Sequence, residues 1–393
     1  MTWLALTVLL APIALVLYAY VVYPAILWLV GRTREPWTLP PEPPEWPSVS
    51  ITVPAYNTGA AIRPTLDHLL AIDYPRDRLQ IVVISDASSD GTDELVKSEY
   101  GSRGVELIRL PQRMGKTAAE NIAVGYVRGE IIVNVDATIL IPPASLKPLV
   151  RAFGDPDVGV ASGRDVSVGA VTVEGNQAES GYVGYEMRIR ELETRMGSIV
   201  GASGCFYGIR REVHAEPLPV ELSWDFASAL VAREHGFRSV SVAEAVCIVP
   251  RAKALRTELR RKVRTMARGL STLFYKRALM DPMRYGSFAF MLASHKLMRW
   301  LPYLVTPFAF VALGWLALEA PLARWLLAGA VLGIALGIMG IRWPQGRAVP
   351  RVVSLFGFAL AAFTAGFLAW VDAIRQKRMP TWEPTPRPGP QPS

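Results

Sequence analysis

The chain has 393 residues, 51% of them hydrophobic, with a formal net charge of +8. Its two cysteines, Cys205 and Cys247, lack a CxxC spacing, which excludes a disulfide framework or a zinc finger, and they suit a reduced compartment. Its basic residues crowd beside apolar segments and are not interleaved with aromatics, which excludes a nucleic-acid partner and points to anionic lipid.

In chain order, residues 1–31 form the first apolar stretch, with no charged side chain. They lack a basic n-region, and Arg32 and Arg34 follow them. The segment therefore reads as an N-terminal transmembrane helix with its start outside and the next domain in the cytoplasm. Residues 32–47 are a proline-rich connector. Residues 48–250 alternate short apolar strands with helices. Strands are expected at Val49–Val53, Gln80–Ser85, Val105–Leu110 and Glu130–Val135, and helices at Ala60–Leu70, Asp90–Tyr100 and Lys116–Val127. Near-continuously apolar strands alternating with helices imply a buried, mostly parallel sheet, whose ligands bind just past the carboxyl ends of the strands. Amphipathic helices are expected at Gly181–Met196 and Leu255–Tyr275, the latter basic, and Ser287–Trp300 reads as a second interfacial helix. Residues 251–300 thus lie on the membrane surface. Residues 301–373 hold three more charge-free stretches, Leu301–Leu318, Trp325–Ile341 and Val352–Val371, each near the length a helix needs to cross hydrocarbon. Residues 374–393 are a proline-rich tail. The charges conflict: with the α/β domain inside, three later spans put Arg342–Arg351 inside but Arg375–Arg378 outside. Either Ser287–Leu318 is a bent pair of segments or one later segment does not cross.

The strand ends carry the chemistry. The first ends in Pro54-Ala55-Tyr56-Asn57, the second in Ser85-Asp86-Ala87-Ser88-Ser89-Asp90-Gly91-Thr92, the fourth in Val135-Asp136-Ala137-Thr138. Asp90 reads as a helix cap. Asp86 and Asp136, at neighbouring strand ends, can serve one ligand, one accepting from a base or ribose and the other holding a hard divalent cation on a diphosphate. His214 and His235 read as ordinary surface histidines.

These motifs, with Leu70-Ala71-Ile72-Asp73-Tyr74-Pro75 and Arg113-Met114-Gly115-Lys116, resemble in type and order those of the family 2 glycosyltransferases over roughly Ser48–Leu273. The resemblance implies an α/β GT-A fold, a Rossmann-like nucleotide-diphospho-sugar transferase domain embedded between transmembrane helices. It implies that Pro54, Ala55, Tyr56, Asn57 and Asp86 hold the nucleotide and that Lys116 sits near the donor. Asp136 would bind the divalent cation, Mg²⁺ or Mn²⁺. Ser203, Gly204 and Cys205 would lie on the acceptor side; Trp224 by its residue type reads either as core or as stacking on an acceptor sugar. Asp225 would be the catalytic base, and Arg261 and Arg264 would stand where processive synthases carry Gln-x-x-Arg-Trp, toward the diphosphate or the interface. The pattern departs at Thr138, where the second acid of Asp-x-Asp is missing, at Trp224, where an acid precedes the base, and at Arg261 and Thr265, where the processive motif loses its glutamine and tryptophan.

The expected activity is inverting transfer of a sugar from a nucleotide-sugar donor, a UDP-sugar, to a polysaccharide at the cytoplasmic membrane face, with polysaccharide-export proteins as partners. The rival readings are a glycolipid or polyprenyl-phosphate glycosyltransferase and a non-catalytic subunit that keeps the fold.

Overall fold

The computed structural model describes residues 2–168, 174–250, 255–344 and 349–375, without the side chains of 167–183 and 251–262. The chain divides into two units: one holds Met1–Ile26, Ala254–Met280 and Ala289–Lys377, and the other is built on Leu27–Lys253.

The α/β unit is one seven-stranded sheet of β1 (Val49–Ala55), β2 (Leu79–Ser85), β3 (Val105–Arg109), β4 (Ile131–Val135), β5 (Val158–Val168), β6 (Phe206–Arg210) and β7 (Arg238–Pro250), in the order β3-β2-β1-β4-β6-β5-β7. β1 lies at the centre of the parallel part, and all seven of its residues are buried. A strand covered on both faces reads as an unbroken apolar run, which is why β1, β2 and β4 are legible as strands without alternation. Their buried polar side chains are used to tie strand to strand. The Thr52 hydroxyl donates to Asn134 Oδ1 at 2.7 Å, and the Ser50 hydroxyl donates to Gln80 Oε1 at 2.6 Å and accepts from Gly129 N at 2.8 Å.

β6 is the exception to the parallel plan: it runs antiparallel to both β4 and β5, with Phe206 opposite Val135. A strand that runs backwards begins at the edge where its neighbours end. The residues just before Phe206 are therefore delivered to the carboxyl ends of β1, β2 and β4.

The other unit supplies the long apolar helices. Four helices are long and apolar enough to cross a membrane: α1 (Thr2–Gly31), with Ser287–Glu319, Pro321–Ile341 and Arg351–Ile374. Residues 287–300 are the first turns of the 33-residue Ser287–Glu319 helix and run on into the expected span without a break. Residues 293–297 take a π-helical turn and the chain stays helical through it, because a π turn keeps backbone groups paired. The last two helices approach closely through glycines: a Cβ on Gly340 would stand 2.5 Å from Val353 O and 3.0 Å from the Gly357 Cα, the small-residue contact that lets helices pack in lipid. The Trp370 indole donates to Trp300 O at 2.9 Å. The helix Leu255–Tyr275 has the bounds expected for the basic amphipathic segment.

Gly129 enters β4 where the backbone of β1 passes, and a Cβ there would lie on Ser50 N and 2.6 Å from Val49 C. Both obstacles are backbone and cannot rotate away. Gly129→Ala is therefore expected to destabilise the α/β unit by about 1–3 kcal/mol, seen as a lowered unfolding midpoint of the purified chain in detergent.

Candidate active site

Ala55 and Ser85 are in register on β1 and β2, and β4 ends beside them at Val135. Residues 56–57, 86–91 and 136–138 follow these ends, and 203–205 join them through the reversal of β6. Two positions in the crest take left-handed backbone on non-glycine residues, Asn57 at φ 46° and Ala87 at φ 56°. Such strain concentrates at ligand-holding turns. Asn57 is held there by its own side chain, whose Oδ1 accepts from Ser89 N at 2.8 Å. Asp90 is not the helix cap expected, since Gly91 at φ 86° takes that position; its Oδ1 instead closes the turn by accepting from Thr92 N at 3.1 Å.

The charged centre is built from Lys116, Asp136 and Asp225 around Gly204. Lys116 opens the helix α2 (Lys116–Ala123), directly after Gly115 at φ 93°. A cation at a helix N-terminus works against the macrodipole, and here carboxylates offset it. Lys116 Nζ lies 2.7 Å from Asp136 Oδ1 and 3.9 Å from Glu120 Oε1, and it donates to Gly204 O at 3.3 Å. Burial pulls the Lys116 ammonium down, but Asp136, Glu120 and Asp225 outweigh it and its pKa is raised, so it stays charged. On the other side of Gly204, Asp225 sits in the first turn of the helix α3 (Trp224–Glu234), where an anion is favoured. Its Oδ1 accepts from the Ser223 hydroxyl at 2.5 Å and from Phe226 N at 2.7 Å. Its Oδ2 points at Gly204, 2.7 Å from where a Cβ would be. One carboxylate oxygen is thus spent on orientation and the other is aimed at the crevice.

Several site assignments are corrected by burial. Pro54 and Ala55 are buried within β1, and Ala55 O accepts from Asp86 N, so these residues shape the strand end and Tyr56 and Asn57 face outward. Trp224 is 1% exposed and stacks on His214 with centroids 4.0 Å apart at 20°, while its indole donates to Asn121 Oδ1 at 2.7 Å. It is core and cannot stack on an acceptor sugar. His214 is correspondingly buried, not a surface histidine. Ser203 is fully buried; its hydroxyl donates to Asp165 Oδ1 at 2.5 Å and accepts from Cys205 N at 3.1 Å, so it braces the loop and does not meet an acceptor. Cys205 packs against the main core and its carbonyl accepts from Asp136 N at 3.2 Å. Asp86 is 4% exposed, and its two oxygens accept from Met114 N and Gly115 N at 2.6 and 2.9 Å. It thereby holds the turn that presents Lys116. The side chain of Arg261 lies outside the described residues, and Arg264 is half-buried on Leu255–Tyr275, in the other unit.

Against this geometry the sequence profile described as Glycosyl transferase family 2 matches residues 50–216. Residues 50–216 are thus a family 2 glycosyltransferase domain. Asp136, Lys116 and Gly204 fall inside the matched residues, and Asp225 lies just beyond them. The chain is 31% identical over 157 residues to an N-acetylglucosaminyltransferase of Mesorhizobium japonicum, covering 36% of each protein. It is 25% identical over 198 residues to a poly-beta-1,6-N-acetyl-D-glucosamine synthase of Staphylococcus aureus, covering 48% of each. These alignments span about half or less of the relatives' own length. Among solved structures, a mannosyltransferase of Pyrobaculum calidifontis, in complex with GDP-Man and Mn²⁺, superposes with a TM-score of 0.72 at 23% identity, covering 94% of this chain and 99% of that one, and so shares its fold.

Further side chains shape this crevice, among them Thr117 and Asn121, which no motif singles out. Arg113 lies 4.0 Å above the Tyr56 ring, a cation–π pair that turns the tyrosine into a flat shelf at the end of β1. Thr117 and Asn121, on the helix that starts with Lys116, fasten the segment leading to Asp225. The Thr117 hydroxyl donates to Leu222 O at 2.7 Å, Asn121 Nδ2 donates to Leu218 O at 2.7 Å, and Asn121 Oδ1 accepts from Leu218 N at 3.1 Å. One helix therefore positions both the cation and the carboxylate. The Tyr207 hydroxyl, fully buried beneath them, is raised well above its usual pKa by burial and by Glu120, Asp225 and Asp136, so it stays protonated.

For a divalent cation the donor set is one carboxylate, Asp136, with the neutral Thr138 where a second acid would stand. Among the described residues no group of three or more His, Cys, Asp or Glu side chains is arranged to hold an ion. One carboxylate plus substrate phosphates is a usual way to bind Mg²⁺, and Asp136 is only half-buried and reachable. The residues fit a cation brought in with a diphosphate.

Two outcomes follow from the packing. In Gly204→Ala the new Cβ displaces the end of the Asp225 side chain and no backbone. Turnover should fall about 10²-fold or more while the unfolding midpoint barely moves, as activity assays and melts on one preparation would show. Burial lowers the His214 pKa from 6.5 to about 4. Between those values the unfolded chain binds a proton that the folded chain refuses, so stability is full above pH 6.5 and falls by about 3 kcal/mol toward pH 4. His214→Phe, which keeps the stack on Trp224, should remove that part of the acid loss in unfolding curves taken across this range.

Proposed function

We propose that the protein is an inverting, membrane-bound glycosyltransferase that moves a hexosyl group from a nucleotide-diphospho-sugar, a UDP-sugar, to a polysaccharide hydroxyl at the cytoplasmic face. The observation that carries this reading is Asp225 Oδ2, aimed at Gly204 from one side while Lys116 and Asp136 stand on the other. A sugar hydroxyl is a poor nucleophile. A carboxylate that takes its proton as the bond to the anomeric carbon forms contributes about 10²–10⁴-fold. Direct displacement by that hydroxyl inverts the anomeric centre. The leaving group is a nucleoside diphosphate whose growing charge must be offset. Lys116 is charged and already oriented there, and Asp136 would hold Mg²⁺ or Mn²⁺, which when bound neutralises the diphosphate. Tyr56, backed by Arg113, offers its ring to the nucleobase, and Asn57 and Asp86 bring acceptor atoms beside it. The named N-acetylglucosaminyltransferase and polysaccharide-synthase relatives support this donor class and acceptor, and the four long apolar helices support a membrane setting. Export proteins would then be natural partners.

A lipid acceptor is the second reading, favoured by Thr265 and Arg261 where processive synthases carry tryptophan and glutamine. Trp224, the residue that motivates a non-catalytic subunit, has a structural duty in the core that leaves Asp225 in place.

The test is nucleoside diphosphate release in nanodiscs from a panel of UDP- and GDP-sugars, with Mg²⁺ or Mn²⁺ and with EDTA. Release from one donor should need the metal, and Asp225→Asn should lose it by at least about 10²-fold while still binding that donor. Equal release by Asp225→Asn would sink the assignment of the base. Product size would then separate polymer from glycolipid.

A further inference from the structure

Glu120 lies one turn along α2 from Lys116. Its side chain is only 1% exposed, against 22% for Lys116 and 24% for Asp136. A carboxylate this deep is costly unless a cation or hydrogen bonds meet it. The Lys116 ammonium stands between the two acids. Its Nζ is 2.7 Å from Asp136 Oδ1 on the more open side and 3.9 Å from Glu120 Oε1 on the buried side. An ammonium has three donors. One is given to Asp136 and one to Gly204 O at 3.3 Å, and Glu120 stands just beyond hydrogen-bond length.

The backbone around Lys116 is pinned on both sides. Gly115 N donates to Asp86 Oδ2 at 2.9 Å, the Thr117 hydroxyl donates to Leu222 O at 2.7 Å, and Asn121 Nδ2 donates to Leu218 O at 2.7 Å. The helix therefore stays in place while the flexible lysine stem turns its head. Closing the gap to Glu120 needs a shift of about 1 Å, away from Asp136. A divalent cation on Asp136 makes that shift favourable. The carboxylate carries one negative charge, and an ammonium held on it at hydrogen-bond length repels the ion. Thr138 brings no charge to relieve this.

We propose that Glu120 is a positioning residue that takes over the Lys116 ammonium when Asp136 turns to the divalent cation of the donor diphosphate. Before the cation arrives, Lys116 covers Asp136 and balances its charge. Afterwards the ammonium withdraws toward Glu120, which uncovers Asp136 and keeps the lysine charged beside the crevice. No proton moves in this exchange. The inference rests on the proposed seat of the cation at Asp136. Its test reads ion binding and not turnover, so that loss of the seat and loss of the exchange give different results.

The full chain in detergent would be titrated with Mn²⁺ alone, bound ion being read from the loss of the free-ion electron paramagnetic resonance signal, with unfolding midpoints taken on the same preparations. Lys116→Met removes the competitor for Asp136 and should tighten binding about tenfold. Asp136→Asn should abolish binding both in the wild type and in Lys116→Met. Glu120→Gln keeps the shape but removes the partner that receives the ammonium, and should weaken binding about tenfold; Glu120→Asp should recover part of that loss. With no ammonium to receive, Glu120→Gln should change the affinity of Lys116→Met by no more than about twofold. The double variant should therefore bind about tenfold more tightly than wild type. It removes the two opposite charges together, which keeps the test open if Glu120→Gln alone does not fold. A loss from Glu120→Gln that is equal in both backgrounds makes Glu120 a distant charge and overturns the proposal. So does Mn²⁺ binding that Lys116→Met leaves unmoved, and in either result the seat at Asp136 and the sugar-transfer reading stand. Binding to Lys116→Met that survives Asp136→Asn removes the cation from Asp136 and overturns both the seat and the exchange.

Discussion

The active crevice depends on the antiparallel insertion of β6 between β4 and β5. In a sheet that stayed parallel, the segment 203–205 would enter at the opposite edge, far from Asp136. Because β6 runs backwards, Gly204 lands between the end of β4 and the start of the helix bearing Asp225. The reversal is held at both ends. Asp136 N donates to Cys205 O, and Ala202 N donates to Asp225 O. The backbone between the two carboxylates is thereby fixed before any ligand arrives, as preorganised catalysis requires.

Glycine at 204 is what lets this arrangement close. Its carbonyl accepts from Lys116 while its missing side chain leaves room for Asp225 Oδ2. Lys116 in turn depends on Asp86, whose carboxylate holds Met114 N and Gly115 N and so sets the start of its helix. That helix reaches back through Thr117 and Asn121 to the loop before Asp225. The chain of contacts is circular, and each member orients the next. The residue type at 224 has a physical reason: Trp224 stacks on His214 and its indole donates to Asn121, which in turn holds the loop before Asp225.

The membrane unit follows a different logic. Its close contacts run through small residues, with Gly340 against Gly357 and Gly366 beneath the Tyr303 ring, because shape and van der Waals contact drive helix association in lipid. The Tyr18 hydroxyl meets Ser294 Oγ where each of the two helices takes a π turn.

By itself the sequence determined the four long apolar stretches, the strands β1–β4 and the acids that follow β2 and β4. Each rests on local information: uninterrupted apolar length, a strand buried on both faces, or an acid placed just after a strand. It did not determine β5, β6 and β7, whose short or irregular runs carry little periodicity, nor the direction of β6, which is fixed only by its partners. Nor could it tell an exposed polar residue from a buried one. Ser203, Trp224 and His214 have residue types that suit a ligand, yet all three are buried, and only the fold decides which side of a loop faces solvent. Thr117 and Asn121 look like ordinary helix residues in the sequence, and their role exists only because the loop 218–222 passes within hydrogen-bond reach. Local chemistry is written in the chain; which groups share a crevice is set by tertiary contacts between residues about a hundred positions apart, as between Asn121 and Trp224.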